Sequence, residues 1–297
     1  MQHISSVPDF HSAGRGQPGI VSYMILITGA TGTIGSEVVK LLADSGKPIR
    51  AMVRKPVEIP GVEVVQADFD DPASLADAVA DVETVFLVTL PQRPNPDHDV
   101  AMVKAAREAG VQRVVKLSAM SSMPGTWHWL SEEAVKSGGM EWTILRPPTF
   151  ASNMLAYADA INSGQPVPNL TGSAAIGIID PRDVAAFAAH LLVSEGHGGQ
   201  TYRPTGPDLL RFDEQVGILE HALGSQIATM DMPLDSLRDM MIGSGTEAEV
   251  AEQVVTGMAQ LKEGHYSLLT DDFLRVLGRA PKSFANWVDD HAHVFRA

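Results

Sequence analysis

Residues 24–39 read MILITGATGTIGSEVV, which is a short apolar run, a glycine-rich turn and the start of an amphipathic helix. Gly29, Gly32 and Gly35 have the spacing G-x-x-G-x-x-G. Such a turn brings backbone N–H groups and a helix N-terminus to a pyrophosphate, and side chains at the glycine positions would block the approach. The stretch therefore predicts a dinucleotide-binding strand–turn–helix unit.

The next hundred residues repeat the alternation of a short apolar run with a helical pattern. Runs such as TVFLV are apolar throughout, which is typical of strands covered on both faces. Strands separated by helices predict a parallel, doubly wound sheet. The predicted fold class is α/β, a Rossmann-type doubly wound parallel sheet with a smaller, mostly helical C-terminal substrate lobe. The further predicted strands are IRAMV, VEVVQ, TVFLVTL, RVVKLS and EWTILRP.

The second predicted strand ends in two cations, Arg54 and Lys55. In this type of fold, the residue about 20 positions after the glycine motif contacts the adenosine ribose, and an acid there favours NAD. Two cations instead suit a 2′-phosphate, so we predict NADPH as the cofactor. Asp68 and Phe69 follow the third strand, where they are expected to hydrogen-bond and flank the adenine. Asp70 or Asp71 is expected to cap the helix that begins at Pro72.

Three regions are predicted along the chain. Residues 1–23 are polar and are interpreted as a disordered arm or leader, and residues 24–150 as the NADP(H)-binding Rossmann core. Residues 151–297 are predicted to form the substrate lobe. Within this lobe, about 174–200 return to the core as a strand, a turn and a helix. The rest of the lobe shows helical patterns at about 212–223, 247–261, 271–277 and from 283 onward.

Composition excludes several classes of function. The chain has 297 residues and 22 Lys and Arg against 36 Asp and Glu, a net charge of −14, so nucleic acid is not an expected partner. It has no cysteine, which excludes thiol nucleophiles and suits a cytoplasmic location. No apolar run predicts a membrane span, and no metal-ligand spacing is present.

Several motifs together resemble the NmrA-like group of atypical short-chain dehydrogenase/reductases. That group includes NADPH:quinone reductases, triphenylmethane-dye reductases and catalytically silent redox-sensing regulators. The resemblance covers nearly the whole chain from Met24, and it implies a Rossmann core, NADP(H) and a substrate cleft between core and lobe. The motifs that carry it are GATGTIG, VRKP, ADFDDPASL, VVKLSA, WTILRPPTFASNML and DPRDVAA.

The same resemblance implies roles for individual positions at the strand ends. Some belong to the phosphate turn, others lie beside the cofactor after the fourth and fifth strands, and four line the nicotinamide end. Asn153 is implied to present a polar group to the substrate cleft. In that order, the cofactor positions are Thr31, Thr33 and Ile34; Thr89, Leu90, Ser118 and Ala119; and Pro147, Pro148, Thr149 and Phe150.

The helix predicted within TWHWLSEEAVKSGG has no tyrosine, although reductases of this type usually carry Tyr-x-x-x-Lys there. His128 lies near the tyrosine position, with Glu132 four residues later on the same helical face. Reduction of a simple ketone generates an alkoxide that needs a placed acid. Reduction of a quinone generates a phenolate-like anion, with a pKa of about 10 if tyrosine is the guide, which can take its proton from water or from an imidazole. The missing tyrosine therefore favours quinones, enones and cationic dyes.

Two interpretations of this helix remain open. His128 donates a proton or orients the substrate while Glu132 holds its ring, or His128 packs as an ordinary helix residue. Trp127 and Trp129 form an aromatic wall for a flat substrate, or they belong to the core. Ser118 either assists an oxyanion or satisfies backbone groups at its strand end. In NPDHDV, helix capping by Asp97 and Asp99 is favoured over metal binding.

The predicted function is an NADPH-dependent reductase that transfers hydride to a flat conjugated acceptor without a Tyr-x-x-x-Lys pair. A small aromatic or quinone-like substrate is expected, and the protein is expected to be a monomer or a homodimer. One alternative is a non-catalytic redox sensor that binds NADP(H). Another is a ketoreductase-type tailoring enzyme of secondary metabolism. Turnover of NADPH with a panel of quinones and dyes separates the enzyme from the sensor.

Overall fold

The computed structural model describes residues 24–90 and 93–296, so the predicted arm at 1–23 lies outside it. Its main sheet has seven parallel strands in the order β3-β2-β1-β4-β5-β6-β8, which confirms the predicted fold class. A second sheet pairs β7 with β9. The strands are β1 (Met24–Ile27), β2 (Ile49–Val53), β3 (Glu63–Gln66), β4 (Val82–Leu87), β5 (Arg113–Leu117), β6 (Glu141–Leu145), β7 (Val167–Asn169), β8 (Gln200–Tyr202) and β9 (Thr229–Asp231).

Helices connect these strands and form most of the C-terminal part. The helical patterns predicted from sequence correspond to helices in the structure, whereas the helices Ala158–Asn162 and Leu234–Gly243 were not predicted. Two 3₁₀ helices cover Ala151–Tyr157 and Ala292–Phe295. The α-helices are α1 (Thr33–Asp44), α2 (Pro72–Ala78), α3 (Asp97–Glu108), α4 (Trp127–Ser137), α5 (Ala158–Asn162), α6 (Pro181–Val193), α7 (Phe212–Leu223), α8 (Leu234–Gly243), α9 (Ala248–Lys262), α10 (Asp272–Leu277) and α11 (Phe284–His291).

Both faces of the main sheet are buried. Because successive side chains of a strand point to opposite faces, Ile25 and Ile27 enter the core beneath α1 and α6. Leu26 enters a separate core with residues of α2, α3 and α4. This two-sided burial explains why the strands are apolar throughout rather than alternating.

The C-terminal part has its own core and is anchored to the sheet. Phe212, Trp287 and Val288 pack together there. Asp183 at the start of α6 accepts hydrogen bonds from Arg279 Nη2 at 2.8 Å and from the Lys282 backbone N–H at 2.6 Å. This buried carboxylate therefore ties the segment before α11 to the core.

Segment 174–200 differs in part from the prediction. Its helix, α6, packs against α1, and β8 extends the sheet beside β6. The strand predicted before α6 is absent, because residues there make only isolated bridges, Phe150 with Ile179 and Ile176 with Leu210. No helix in the described ranges is long and apolar enough to span a membrane.

The order of the strands defines where a ligand fits. The chain reverses its direction of sheet growth between β1 and β4, and ligands of such sheets bind in the crevice outside the carboxyl ends at that point. Thr28 links the ends of β1 and β4 at this edge, because its hydroxyl donates to the Phe86 carbonyl at 3.1 Å and accepts from the Val88 N–H at 2.7 Å.

Candidate active site

The turn after β1 forms a cradle that is shaped by its glycines. Gly29 has φ +61°, in the left-handed region that favours glycine. A Cβ at Gly35 would lie 2.1 Å from the Gly29 carbonyl oxygen, so only glycine fits at this crossing of turn and helix. No side chain caps the first N–H groups of α1, where Thr31 and Thr33 are exposed. This helix terminus suits a phosphate.

Ile34 belongs to the same turn, but its side chain serves another purpose. It is buried in the core beneath α1 and does not face the crevice. Only its backbone is therefore available to a phosphate. The resemblance implied that Ile34 belongs to the phosphate loop. The side chain of Ile34 instead anchors the start of α1 in the core.

Arg54 and Lys55 are both exposed at the carboxyl end of β2. Within the described residues neither side chain makes an ion pair or hydrogen bond; Arg54 contributes only its backbone carbonyl, to Gln66. By contrast, Arg50 on the same strand is held by Glu63 and by two carbonyls. The two cations of the turn are therefore free to bind a 2′-phosphate.

The expected adenine residues are partly engaged with protein groups. The Asp68 carboxylate accepts the Asp70 N–H at 3.1 Å, and the Phe69 ring stacks on His98 at 5.1 Å between centroids. His98 also contacts Asp70 Oδ1 at 3.1 Å. Sequence reasoning missed His98 as a member of this cluster. Asp71, one of the two proposed caps, caps α2 by accepting the Ala73 N–H.

A charged pair lies fully buried beneath the strand ends. Lys116 on β5 is 1% exposed, and its Nζ lies 2.7 Å from Oδ1 of Asp99, which is 0% exposed. Thr89 joins them, since its hydroxyl accepts from Lys116 at 2.8 Å and donates to Asp99 Oδ2 at 2.8 Å. The capping interpretation of Asp99 was therefore wrong, because α3 begins after Pro96 without a side-chain cap.

This pair alters the role expected of the residues after β4. The Thr89 hydroxyl is occupied by the buried charges, whereas Leu90 is 89% exposed. A lysine within the apolar run RVVKLS was the signal for such a pair, because a buried ammonium requires a partner of opposite charge. The acid on α3 that supplies this partner was not evident from sequence.

A second buried carboxylate, Glu132, lies beside β5 and β6. It accepts hydrogen bonds from Ser118 Oγ at 2.6 Å and from Arg146 Nε at 2.8 Å, and a second guanidinium nitrogen of Arg146 contacts it as well. Burial opposes its ionisation, but the hydrogen bonds from Arg146 and Ser118 prevail and hold its pKa below the usual range. Glu132 is therefore an ionised anchor for α4.

The interpretation that Glu132 holds the His128 ring is not supported. The Glu132 carboxylate is taken up by other groups, and Nδ1 of His128 has no partner among the described residues. The rings of His128 and Trp127 stack, with centroids 3.8 Å apart. Glu132 follows His128 by one turn of helix. Its carboxylate is directed toward the strands, where the guanidinium of Arg146 is a stronger partner than the imidazole of His128.

His128 is neutral at physiological pH. Burial, and secondly the positive charge of Lys116, lower the pKa of its imidazole to about 4. The carboxylates of Glu132 and Asp99 act in the opposite direction but are weaker. An imidazolium is therefore not the resting proton donor of this site, although a neutral imidazole still offers an N–H group to a substrate oxygen.

This depressed pKa predicts a pH-dependent stability. The unfolded chain binds a proton at His128 below pH about 6.5 and the folded protein only below about 4, so stability falls as pH falls through this window. Across this window, the free energy of unfolding of the His128→Gln variant is expected to fall by up to about 3 kcal/mol less than that of the wild type. Urea unfolding at several pH values measures it. The exposed His221→Gln variant is the control, and equal pH slopes for the two variants would contradict the assignment.

A cavity of about 610 Å³ opens between the sheet edge and the C-terminal part. Its floor is the loops after β5 and β6, including Ala119 and the segment from Pro147 to Thr149. Trp127 and His128 at the start of α4 form one side. Helix α9 forms the roof. The volume of the cavity is in the range of ordinary small-molecule sites.

Several residues expected at the site do not line this cavity. Trp129 lies two positions after Trp127, and residues two apart on a helix do not share a face. Asn153 is exposed on a 3₁₀ helix whose buried residues, Ala151 and Met154, are three apart. Phe150 packs against the core, and Ser118 is buried against Glu132.

The cavity also contains a residue that sequence reasoning missed, Tyr266, which is 8% exposed. It follows α9, more than a hundred residues after His128, and no motif surrounds it. Its hydroxyl donates to Oε1 of Gln260 at 2.5 Å. Burial raises the pKa of this phenol, so it is a neutral hydrogen-bonding group.

The fold and this crevice together define a class, the dinucleotide-binding Rossmann proteins. Residues 29–195 match a family described as NAD(P)H-binding, and the chain belongs to this family. It is 36% identical to a (4-alkanoyl-5-oxo-2,5-dihydrofuran-3-yl)methyl phosphate reductase of Streptomyces griseus subsp. griseus, over 92% of this chain and 99% of that protein.

Two further relatives are similar along nearly their full length. An NAD(P)H azoreductase of Xenophilus azovorans is 32% identical over 92% of this chain and 100% of its own. The structure of an NADPH-dependent quinone oxidoreductase of Escherichia coli complexed with NADPH matches with a TM-score of 0.79 at 25% identity, covering 90% of this chain and 99% of that one. The predicted resemblance, cofactor class and oxidoreductase class are confirmed.

Proposed function

We propose that this protein is a reductase that transfers hydride from NADPH to a flat, conjugated acceptor without a Tyr-x-x-x-Lys pair. The observation that carries the proposal is the 610 Å³ cavity, because it joins the loops expected at the nicotinamide to an aromatic side wall and to a roof of apolar and uncharged polar residues. The relatives named as an azoreductase and a quinone oxidoreductase act on conjugated compounds, which supports the same substrate class.

The residues of the first turn fit the cofactor. Gly35 leaves room for the turn to close, and the uncapped start of α1 offers N–H groups to the pyrophosphate. Arg54 and Lys55 would bind the 2′-phosphate. Bound NADPH supplies the hydride, and the protein positions the acceptor.

The chemistry assigned to the side chains follows from their charge. His128 is neutral, so its N–H orients the acceptor rather than protonating it. The anion formed from a quinone or enone is delocalised and takes its proton from water. Glu132 and Arg146 hold α4 against the sheet and thereby position His128. No residue in this account replaces the missing tyrosine as an acid.

The decisive test is NADPH oxidation by the purified protein with a panel of quinones, enones and azo dyes. Turnover well above the uncatalysed rate is expected with at least one neutral quinone. Tight binding of NADPH without turnover of any acceptor would favour the sensor alternative. Reduction of simple ketones at the same rate would favour the tailoring ketoreductase, because such a substrate demands an acid.

The cofactor preference gives a second prediction. Replacement of Arg54 and Lys55 by Asp is expected to raise the KM for NADPH about 10- to 100-fold, since charge-assisted hydrogen bonds to the phosphate are lost. The KM for NADH should change little. Lys104→Asp, an exposed charge change on α3, is the control. An unchanged ratio of the two kcat/KM values would remove Arg54 and Lys55 from the site.

A further inference from the structure

The C-terminal part contributes a hydrogen-bonded polar pair to the roof of the cavity, which also holds apolar side chains and the uncharged polar side chains of Gln253 and Thr256. Val254, Met258 and Leu261 of α9 line the cavity, and Gln260 lies among them. Tyr266 approaches from the loop after α9 and bonds to Gln260 at 2.5 Å. Both side chains line the cavity, Tyr266 buried and Gln260 partly exposed, so the pair is available to a bound acceptor.

The rest of the lining carries no formal charge. Among the cavity-lining residues in the described ranges there is no Asp, Glu, Lys or Arg. The one imidazole, His128, is neutral because its pKa is lowered to about 4. A phosphate or an ammonium group would lose its hydration without gaining a partner, and that loss is costly. The cavity therefore favours uncharged molecules.

We propose that the Tyr266–Gln260 pair recognises the carbonyl oxygen of an electrically neutral conjugated acceptor. The proposal rests on the proposed reductase function and names its substrate class. The phenol has a single proton, which Gln260 Oε1 accepts in this structure. A half-turn of the Gln260 amide presents its NH₂ group to the phenol oxygen instead, and the phenol proton then turns to the carbonyl. Gln260 is a positioning residue, whereas Tyr266 contacts the substrate.

This assignment also excludes charged molecules of the same shape as substrates. The Streptomyces griseus relative is named for a phosphate ester, and such an anion finds no cation among the described lining residues. Cationic dyes likewise find no carboxylate there, which narrows the substrate class predicted from sequence to quinones and enones.

The test measures binding rather than turnover. The protein is saturated with NADP⁺ and titrated with 1,4-naphthoquinone or its 2-sulfonate, and tryptophan fluorescence is followed, since Trp127 lines the cavity. The Tyr266→Phe variant is expected to bind naphthoquinone about three- to tenfold more weakly, as for loss of one hydrogen bond. The sulfonate should bind at least about tenfold more weakly than naphthoquinone to the wild-type protein.

Matched variants distinguish recognition from general damage. Tyr157→Phe is the control, because the Tyr157 ring packs against Phe212 and does not line the cavity. It should retain wild-type affinity. Gln260→Leu should weaken binding, and its effect should be less than additive with Tyr266→Phe, because the two residues act as a pair. An unchanged affinity for NADP⁺ establishes that each variant is folded.

Two results would overturn the proposal: equal affinity of Tyr266→Phe and wild type for naphthoquinone, or equal affinity of the wild type for naphthoquinone and its sulfonate. Failure of the reductase function is a separate outcome. A protein that binds naphthoquinone through Tyr266 yet never reduces it would contradict the reductase and support the recognition. Turnover with no loss of affinity in Tyr266→Phe would contradict only the recognition.

Discussion

Replacement of Gly35 by alanine is expected to abolish useful NADPH binding. The added Cβ would lie 2.1 Å from the Gly29 carbonyl oxygen and 2.7 Å from its carbon, and both are backbone atoms that cannot rotate away. The turn must open, which displaces the N–H groups that we propose bind the pyrophosphate. Loss of two such charge-assisted bonds raises the Kd for NADPH at least about 100-fold. Overpacking also lowers the free energy of unfolding by about 1–3 kcal/mol.

Substitutions at two other glycines provide comparisons for Gly35→Ala. A Cβ at Gly32 would lie 3.3 Å from the same oxygen, so Gly32→Ala should weaken NADPH binding less than Gly35→Ala. Gly217 on α7 has nothing within 4 Å of an added Cβ. Gly217→Ala should therefore keep wild-type affinity and gain about 0.5–1 kcal/mol of helix stability. Fluorescence titration with NADPH and urea unfolding measure both quantities, and wild-type affinity in Gly35→Ala would refute the cradle.

Removal of the Lys116 ammonium is expected to have the largest effect on stability. Lys116→Met leaves the Asp99 carboxylate buried without a counter-charge, which costs about 3–5 kcal/mol of the free energy of unfolding. Thr89 also loses its donor. The double variant Lys116→Met with Asp99→Leu should recover most of the loss, because no charge then remains unpaired. Urea unfolding of the three proteins measures this recovery.

The same variant has a spectroscopic consequence at the cavity. The positive charge of Lys116 is one cause of the depressed pKa of His128. In Lys116→Met the pKa of His128 should therefore rise above about 4, and NMR titration of the imidazole follows it. Equal stability of single and double variants, with an unmoved His128 titration, would show that Lys116 and Asp99 are not coupled.

The helix that lacks the usual tyrosine illustrates how far sequence reasoning reached. It predicted α4 and placed His128 near the position that the tyrosine usually holds, and the structure puts His128 on the cavity wall. The partner of Glu132 was misassigned, because spacing along a helix predicts only neighbours on that helix. Arg146 lies on the segment after β6, and no local pattern relates it to Glu132.

Sequence alone determined the elements whose causes are local. The glycine spacing from Gly29 to Gly35 and the cations Arg54 and Lys55 belong to the first strand–helix–strand unit, and each apolar strand is one continuous run, so all of them can be recognised without a structure. Tertiary structure decided which distant groups meet: Lys116 with Asp99, Ser118 and Arg146 with Glu132, and Tyr266 with the cavity. These contacts depend on how helices pack across the sheet, and burial, which sets the charge of each group, exists only once the chain has folded.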